Sequence, residues 1–173
     1  MGAKINIQRA SRKDAKDIHE VMKRVHAQMD RKDLYVVDDL PYIEECTKNH
    51  GMVYKAVDLD GSIVGFLIVY VPQEDDGHMG KYVNMEKEEY HKTAYMDSIA
   101  VLPEYRGYEL QKKLLSYAEE QEEMRMYRHL FATVSPDNPY SLHNFLSMGY
   151  EIVCRDRKYG GLERYILYKN QFQ

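Results

Sequence analysis

The sequence predicts a mixed α/β (α+β) fold in which a central sheet is flanked by about four helices. Three runs carry that expectation: an amphipathic helical repeat from Ala15 to Met29, an apolar hairpin from Met52 to Val71, and a strand, helix and strand from Ala94 to Val134. Helical and strand periods alternate along the chain with few long connections, and one sheet covered by helices buries the apolar face of each.

In chain order, Ile5 and Ile7 alternate with polar neighbours as a short strand does. Ser11, with Asp14 three residues on, resembles a capping box that starts a helix. Ala15, Ile18, Val21, Met22, Val25 and Met29 then recur at steps that place them on one stripe, with Lys and Asp opposite, so this helix packs on something flat. Asp38 and Asp39 before Leu40-Pro41 mark a second helix start, because Pro is tolerated in a first turn and a carboxylate favours the positive end of the helix dipole. Its end is expected near Asn49-His50-Gly51.

Met52 to Val57 and Ile63 to Val71 read as strands joined at Asp60-Gly61, a dipeptide suited to the positive φ of a tight hairpin. The second strand is apolar on both faces and is expected to be central. Pro72 to Lys92 is polar and without period, a long functional loop or a hairpin extension, in which His78 and His91 are expected to be solvated. Ala94 to Val101 is a strand, Leu110 to about Met124 a helix with Leu110, Leu114, Leu115 and Ala118 on one face, and His129 to Val134 a strand. A short helix from Ser141 to Met148 ends at Gly149, and strands at Tyr150 to Val153 and Leu162 to Tyr168 flank a turn at Tyr159-Gly160-Gly161. With no repeat and no linker, residues 1–173 read as one domain.

Composition narrows the function. A content of 44% hydrophobic and 30% charged residues is that of a globular chain, not a disordered one. A net charge of -4 provides no basic face for nucleic acid and mildly favours a cationic acceptor. No stretch reaches the length of a membrane helix, Met1 to Arg9 lacks a secretory apolar run, and Asn6 departs from the myristoylation pattern that Gly2 would otherwise suggest. Cys46 and Cys154 stand alone, so neither a disulfide framework nor a zinc or other metal site is expected, and a reducing cytoplasm is the expected home.

One window carries chemistry. In VLPEYRGYELQKKLL, from Val101 to Leu115, Pro103 stops the strand, Arg106-Gly107 makes a turn, and the chain enters a helix whose first N–H groups have no internal partner. Free amides, the helix dipole and the nearby Arg106, Lys112 and Lys113 together suit an anion, and the same pattern also fits an ordinary strand-to-helix turn.

The window resembles motif A of the GNAT superfamily of N-acetyltransferases, R-G-x-G-x-G/A after a strand ending in V-x-P. NPYSLHNFLSMGY, from Asn138 to Tyr150, is similar to the family's second segment, N-x-x-A/S-x-x-x-Y-x-x-x-G-F/Y, in the right order. The resemblance implies a mixed, mostly antiparallel twisted sheet with splayed central strands, and acetyl-CoA as cosubstrate. It places the pantetheine arm along Ile99, Ala100 and Val101, the pyrophosphate on the amides from Arg106 through Gly107, Tyr108, Glu109, Leu110 and Gln111 to Lys112, and Asn138, Ser141 and Phe145 on the other side.

The sequence departs from the pattern at three positions. Glu109 replaces the second glycine and Gln111 the final Gly or Ala. A carboxylate about 4 Å from a phosphate costs roughly 1 kcal/mol in water and about 4 at an effective dielectric of 20, so Glu109 is expected to turn to solvent. Phe145 stands where the family often has a tyrosine that protonates the leaving thiolate, which leaves Tyr140 and His143 as substitutes. Asp97, on the coenzyme-binding strand, is the first candidate for the base that takes the amine proton, or else a strand carboxylate bonded to a neighbouring loop.

The implied activity is acetyl transfer to an amine of a small molecule or protein. A GNAT-fold acyl-CoA sensor or interaction module is the alternative, supported by Glu109 and Phe145. The sixteen tyrosines fit an aromatic pocket and equally well half-buried strand positions. The acceptor segments carry no readable motif, and the exposed C-terminal strands offer an edge for a homodimer.

Overall fold

The computed structural model describes residues 4–173, so the reading of Gly2 lies outside the described residues. Seven strands form one sheet in the order β1-β2-β3-β4-β5-β7-β6: β1 (Asn6–Arg9), β2 (Gly51–Val57), β3 (Ile63–Tyr70), β4 (Thr93–Val101), β5 (His129–Val134), β6 (Glu151–Lys158) and β7 (Leu162–Asn170). Every neighbouring pair is antiparallel except β4 and β5. That exception follows from the intervening helix, since only a crossover returns the chain parallel to itself.

Helix α1 (Ala15–Ala27) buries Ala15, Ile18, Val21, Met22 and Val25 against β3 and β4. It is preceded by a 3-10 turn in which the Asp14 carboxylate accepts the Ser11 N–H at 2.9 Å. Met29 lies beyond the helix end and is half-buried. Helix α2 (Leu40–Lys48) begins where Asp39 Oδ1 accepts the Tyr42 N–H at 2.9 Å, which satisfies one of the donors a helix start leaves free. Helices α3 (Leu110–Glu120) and α4 (Pro139–Ser147) pack on each other, as α1 and α2 do, and β3 is buried along its whole middle.

Several expectations need correction. Helix α3 stops at Glu120 rather than near Met124: Gln121 turns extended, and a separate 3-10 turn drops Met124 into the core. The β2–β3 connection spans residues 58–62 and is held by Asp58 Oδ1, which accepts the N–H groups of Asp60 and Ser62 at 3.1 and 3.2 Å. Gly61 has φ 88° there, the conformation for which glycine is suited. Strand β6 runs on to Lys158, five residues past Val153; it pairs only with β7, so its outer half, Arg155 to Lys158, is polar and shows no apolar alternation.

The segment from Pro72 to Lys92 holds two 3-10 helices, Met79–Val83 and Lys87–Lys92. His78 is buried, not solvated: its ring stacks on Tyr90 at 3.8 Å, and Nδ1 accepts the Gly80 N–H at 2.9 Å. Burial lowers its pKa and favours the neutral ring. Met79 closes over Tyr95, Phe131 and Ile166, residues from three distant strands, and local polarity alone cannot show that contact. His91 is exposed. No helix among the described residues is long and apolar enough to cross a membrane.

Candidate active site

Strands β4 and β5 share a ladder only from Thr93–His129 to Tyr95–Phe131. Beyond Tyr95, β4 stays with β3 and β5 stays with β7, so the two diverge and leave a cleft of ≈ 830 Å³. Residues 96–101 of β4 form one wall and Thr133, Val134 and Ser135 the other. Ile99, Ala100 and Val101 pair with β3 on one side only, and their edge toward β5 has no ladder partner.

The β3–β4 register shifts at one point: Ile68 pairs with Ser98 and Val69 with Met96, which leaves Asp97 as the extra residue of a bulge. Its side chain lines the cleft, and Oδ2 accepts the Tyr42 hydroxyl at 2.6 Å. Burial raises the Asp97 pKa, and the Tyr42 bond opposes the rise. Of the two readings of Asp97, the carboxylate bonded to a neighbour is thus present, on a helix rather than a loop, and the same carboxylate faces the open cleft.

A second carboxylate shares this region. Burial, then the negative charges of Asp97 and Asp39, push Asp38 up to about 7 from an ordinary value of 3.8. Folding therefore favours its protonated form, so its contribution to stability is full below about pH 4 and is lost as pH rises through about 7. Asp38→Asn is expected to remove that loss: thermal melts should match wild type near pH 4 and lie several degrees higher near pH 8. Equal melting temperatures at both pH values would show that Asp38 carries no such strain.

At the opening of α3, the amides of Gly107, Tyr108, Glu109, Leu110, Gln111 and Lys112 have no hydrogen-bond partner among the described residues, and Lys113 is the first to bond back, to the Glu109 carbonyl at 3.0 Å. The expectation for Arg106 needs correction, because its N–H is taken by the Pro103 carbonyl at 3.2 Å. Arg106 reaches the cleft through its side chain instead. The side chains of Tyr108, Glu109, Leu110 and Lys112 do not line the cleft; Leu110 points into the core.

Glu109 takes φ 57°, ψ 33°, the left-handed conformation that glycine adopts without strain. Its side chain is 68% exposed, with Oε1 3.5 Å from the Lys112 ammonium, so the carboxylate faces solvent. Gln111 is buried, and Oε1 accepts the Asn144 Nδ2–H at 3.0 Å, which ties α3 to α4.

On the opposite side, Asn138 Oδ1 caps α4 by accepting the Ser141 N–H at 3.2 Å. Asn138, Ser141 and Phe145 all line the cleft, as does the half-exposed Tyr140. Phe145 packs edge-on to Tyr150 with ring centres 5.1 Å apart. His143 lies on the exposed face of α4 and outside the cleft lining, because α4 turns the intervening positions away. Sequence reasoning missed Tyr35, Tyr42, Tyr159 and Arg164, which also line the cleft. Tyr159 was legible only as a turn residue, and the others sit in segments without a motif.

The family model for the acetyltransferase (GNAT) family matches residues 16–150. No curated protein sequence matches the chain. Among solved structures, a GNAT-family acetyltransferase from Streptococcus pneumoniae is 19% identical at a TM-score of 0.69, covering 96% of this chain and 98% of that one. An N-acetyltransferase from Staphylococcus aureus is 17% identical at 0.72, covering 97% and 99%. The diaminobutyrate acetyltransferase of Paenibacillus lautus, solved with its substrate and coenzyme A, is 15% identical at 0.69, covering 99% and 98%. These likenesses show a shared fold, and with the family model spanning most of the sequence the chain belongs to the acetyltransferase (GNAT) family.

Proposed function

We propose that residues 1–173 form one N-acetyltransferase domain that moves the acetyl group of acetyl-CoA to an amine by direct attack in a ternary complex. The observation that carries this reading is continuity: the unladdered edge of β4 lines one cleft together with Arg106 and Gln111, which bracket the turn whose amides are free. Pantetheine then bonds to the main chain of Ile99–Val101, and the pyrophosphate rests on the amides of residues 107–112 with Arg106 and Lys112 nearby. Asn138, Ser141 and Phe145 close the other side. A relative in fold was solved with coenzyme A, which supports the assignment.

The chemistry balances with groups of this chain. The amine nitrogen attacks the thioester carbon, the C–S bond breaks, Asp97 takes the amine proton, and Tyr140 protonates the departing thiolate. Phe145 has no proton to give. A main-chain N–H of β4 polarises the carbonyl, and a thiol of pKa about 8.5 already leaves tolerably. The open cysteines, Cys46 buried and Cys154 half-buried, fit a reducing cytoplasm.

Thermal melts with acetyl-CoA test the coenzyme site: at about 100 times Kd, binding adds roughly 2.7 kcal/mol and raises Tm by several degrees. Thiol release in the presence of an amine panel then reports turnover. A Tm rise without thiol release would leave an acyl-CoA sensor, the reading that Phe145 favours. No rise with acetyl-, propionyl- or free coenzyme A would sink both.

A further inference from the structure

The end of the cleft at Asp97 holds a buried cation outside any ion pair among the described residues. Arg164, on β7, is only 4% exposed, lines the cleft, and takes part in no ion pair among the described residues. Its Nη1 donates to the Glu163 carbonyl at 2.9 Å and its Nη2 to the Asp33 carbonyl at 2.7 Å, while Nε has no partner. The guanidinium therefore keeps N–H donors in reserve. A buried charge is costly unless it is paired, and main-chain carbonyls do not neutralise it.

The surrounding charges are accounted for. The other arginine at this end, Arg31, pairs with both Asp33 and Asp137, and the Asp33 carboxylate also acts on Arg164 through space, without a direct ion pair. Arg106 lies where α3 begins, at the coenzyme end. Asp97 and Asp38 stand on the β4 and α2 side of the cleft, and the Tyr159 ring, 5.7 Å from the Arg164 guanidinium carbon, feels both carboxylates. The cleft thus has an acidic side, Asp97 and Asp38, and a cationic side where Arg164 forms no direct ion pair among the described residues.

We propose that Arg164 binds an anionic group of the acceptor, so that the acceptor is a small zwitterion with its amine toward Asp97 and a carboxylate or phosphonate against Arg164. This rests on the N-acetyltransferase reading and narrows its substrate class. The planar guanidinium fork suits both anions, and its main-chain bonds hold it in place before the ligand arrives. Arg164 also pins the segment before α2 through Asp33, a structural role that would leave discrimination between acceptors unmoved.

The test compares amino acids and diamino acids with their amides, and with aminoalkylphosphonates, by thiol release from acetyl-CoA. Wild type is expected to favour the free acid or the phosphonate over the amide by about tenfold or more in kcat/KM, as loss of a charge-assisted bond implies. Arg164→Gln should bring that ratio close to one without changing the acetyl-CoA Kd, and Arg164→Lys should restore part of it. If amides or plain polyamines are used as well as the acids, this inference falls while the acetyltransferase reading stands. If no amine releases thiol, both fall. The wild-type comparison decides the matter even if Arg164→Gln does not fold.

Discussion

Asp97→Asn is expected to lower kcat by about a hundredfold or more while leaving the acetyl-CoA Kd within about twofold. The amide keeps the size and the bond to Tyr42 but cannot take a proton from the attacking amine. The bulge that frees Asp97 from the β3 ladder is what lets its carboxylate reach the cleft, so the side chain and not the backbone is tested. The pH profile supplies the second readout. Burial raises the Asp97 pKa, and a base works only when deprotonated, so wild-type kcat should climb with pH through that raised value, and the variant should lack this limb. Tyr42→Phe removes the bond that opposes the rise, so its limb should move to higher pH with little change in the plateau. An unchanged kcat in Asp97→Asn would reduce Asp97 to a partner that positions Tyr42.

The second large effect concerns two left-handed residues within the run of free amides. Gly107 has φ 93°, and a Cβ added there would meet nothing within 4 Å, so Gly107→Val tests backbone conformation without a clash. A β-branched residue in that region costs on the order of 1–3 kcal/mol, and the loop must take this conformation to present its amides. Coenzyme affinity, measured by calorimetry, should fall about tenfold or more. Glu109→Gly acts in the opposite sense. It relieves about 1 kcal/mol of strain at φ 57° and removes a negative charge, so acetyl-CoA should bind several-fold tighter and Tm should rise slightly. No gain in affinity would show that the solvent-facing carboxylate, beside Lys112, is already remote from the phosphates.

The elements with strong local signals were legible. The stripe of α1, the Asp39 cap of α2, the doubly apolar β3 and the helix start after Gly107 each announce themselves through residue period, cap chemistry or glycine placement. Edge strand β6 was read short because a strand paired on one side has no reason to alternate in hydrophobicity, and the 3-10 segments around His78 were invisible because their apolar partners, Phe131 and Ile166, lie far along the chain. The candidate site divided in the same way. The side proposed for the coenzyme, Ile99 to Lys112 and Asn138 to Phe145, lies on two short contiguous motifs.

The side proposed for the acceptor does not. Tyr35, Asp38, Tyr42, Tyr159 and Arg164 come from two stretches, 35–42 and 159–164, far apart in the chain, and no motif relates them. The sequence by itself determined the period of each helix, the apolar middle strand, the crossover that makes β4 and β5 parallel, and the unpaired amides that open α3, because all of these follow from neighbours within a few residues. Only the tertiary structure decided that β4 and β5 part after Tyr95, that a register slip turns Asp97 into the cleft, and that Arg164 is buried there outside any ion pair among the described residues. Those outcomes depend on pairing with β3 and β7 and on loss of water around the charges, and both are properties of the packed sheet.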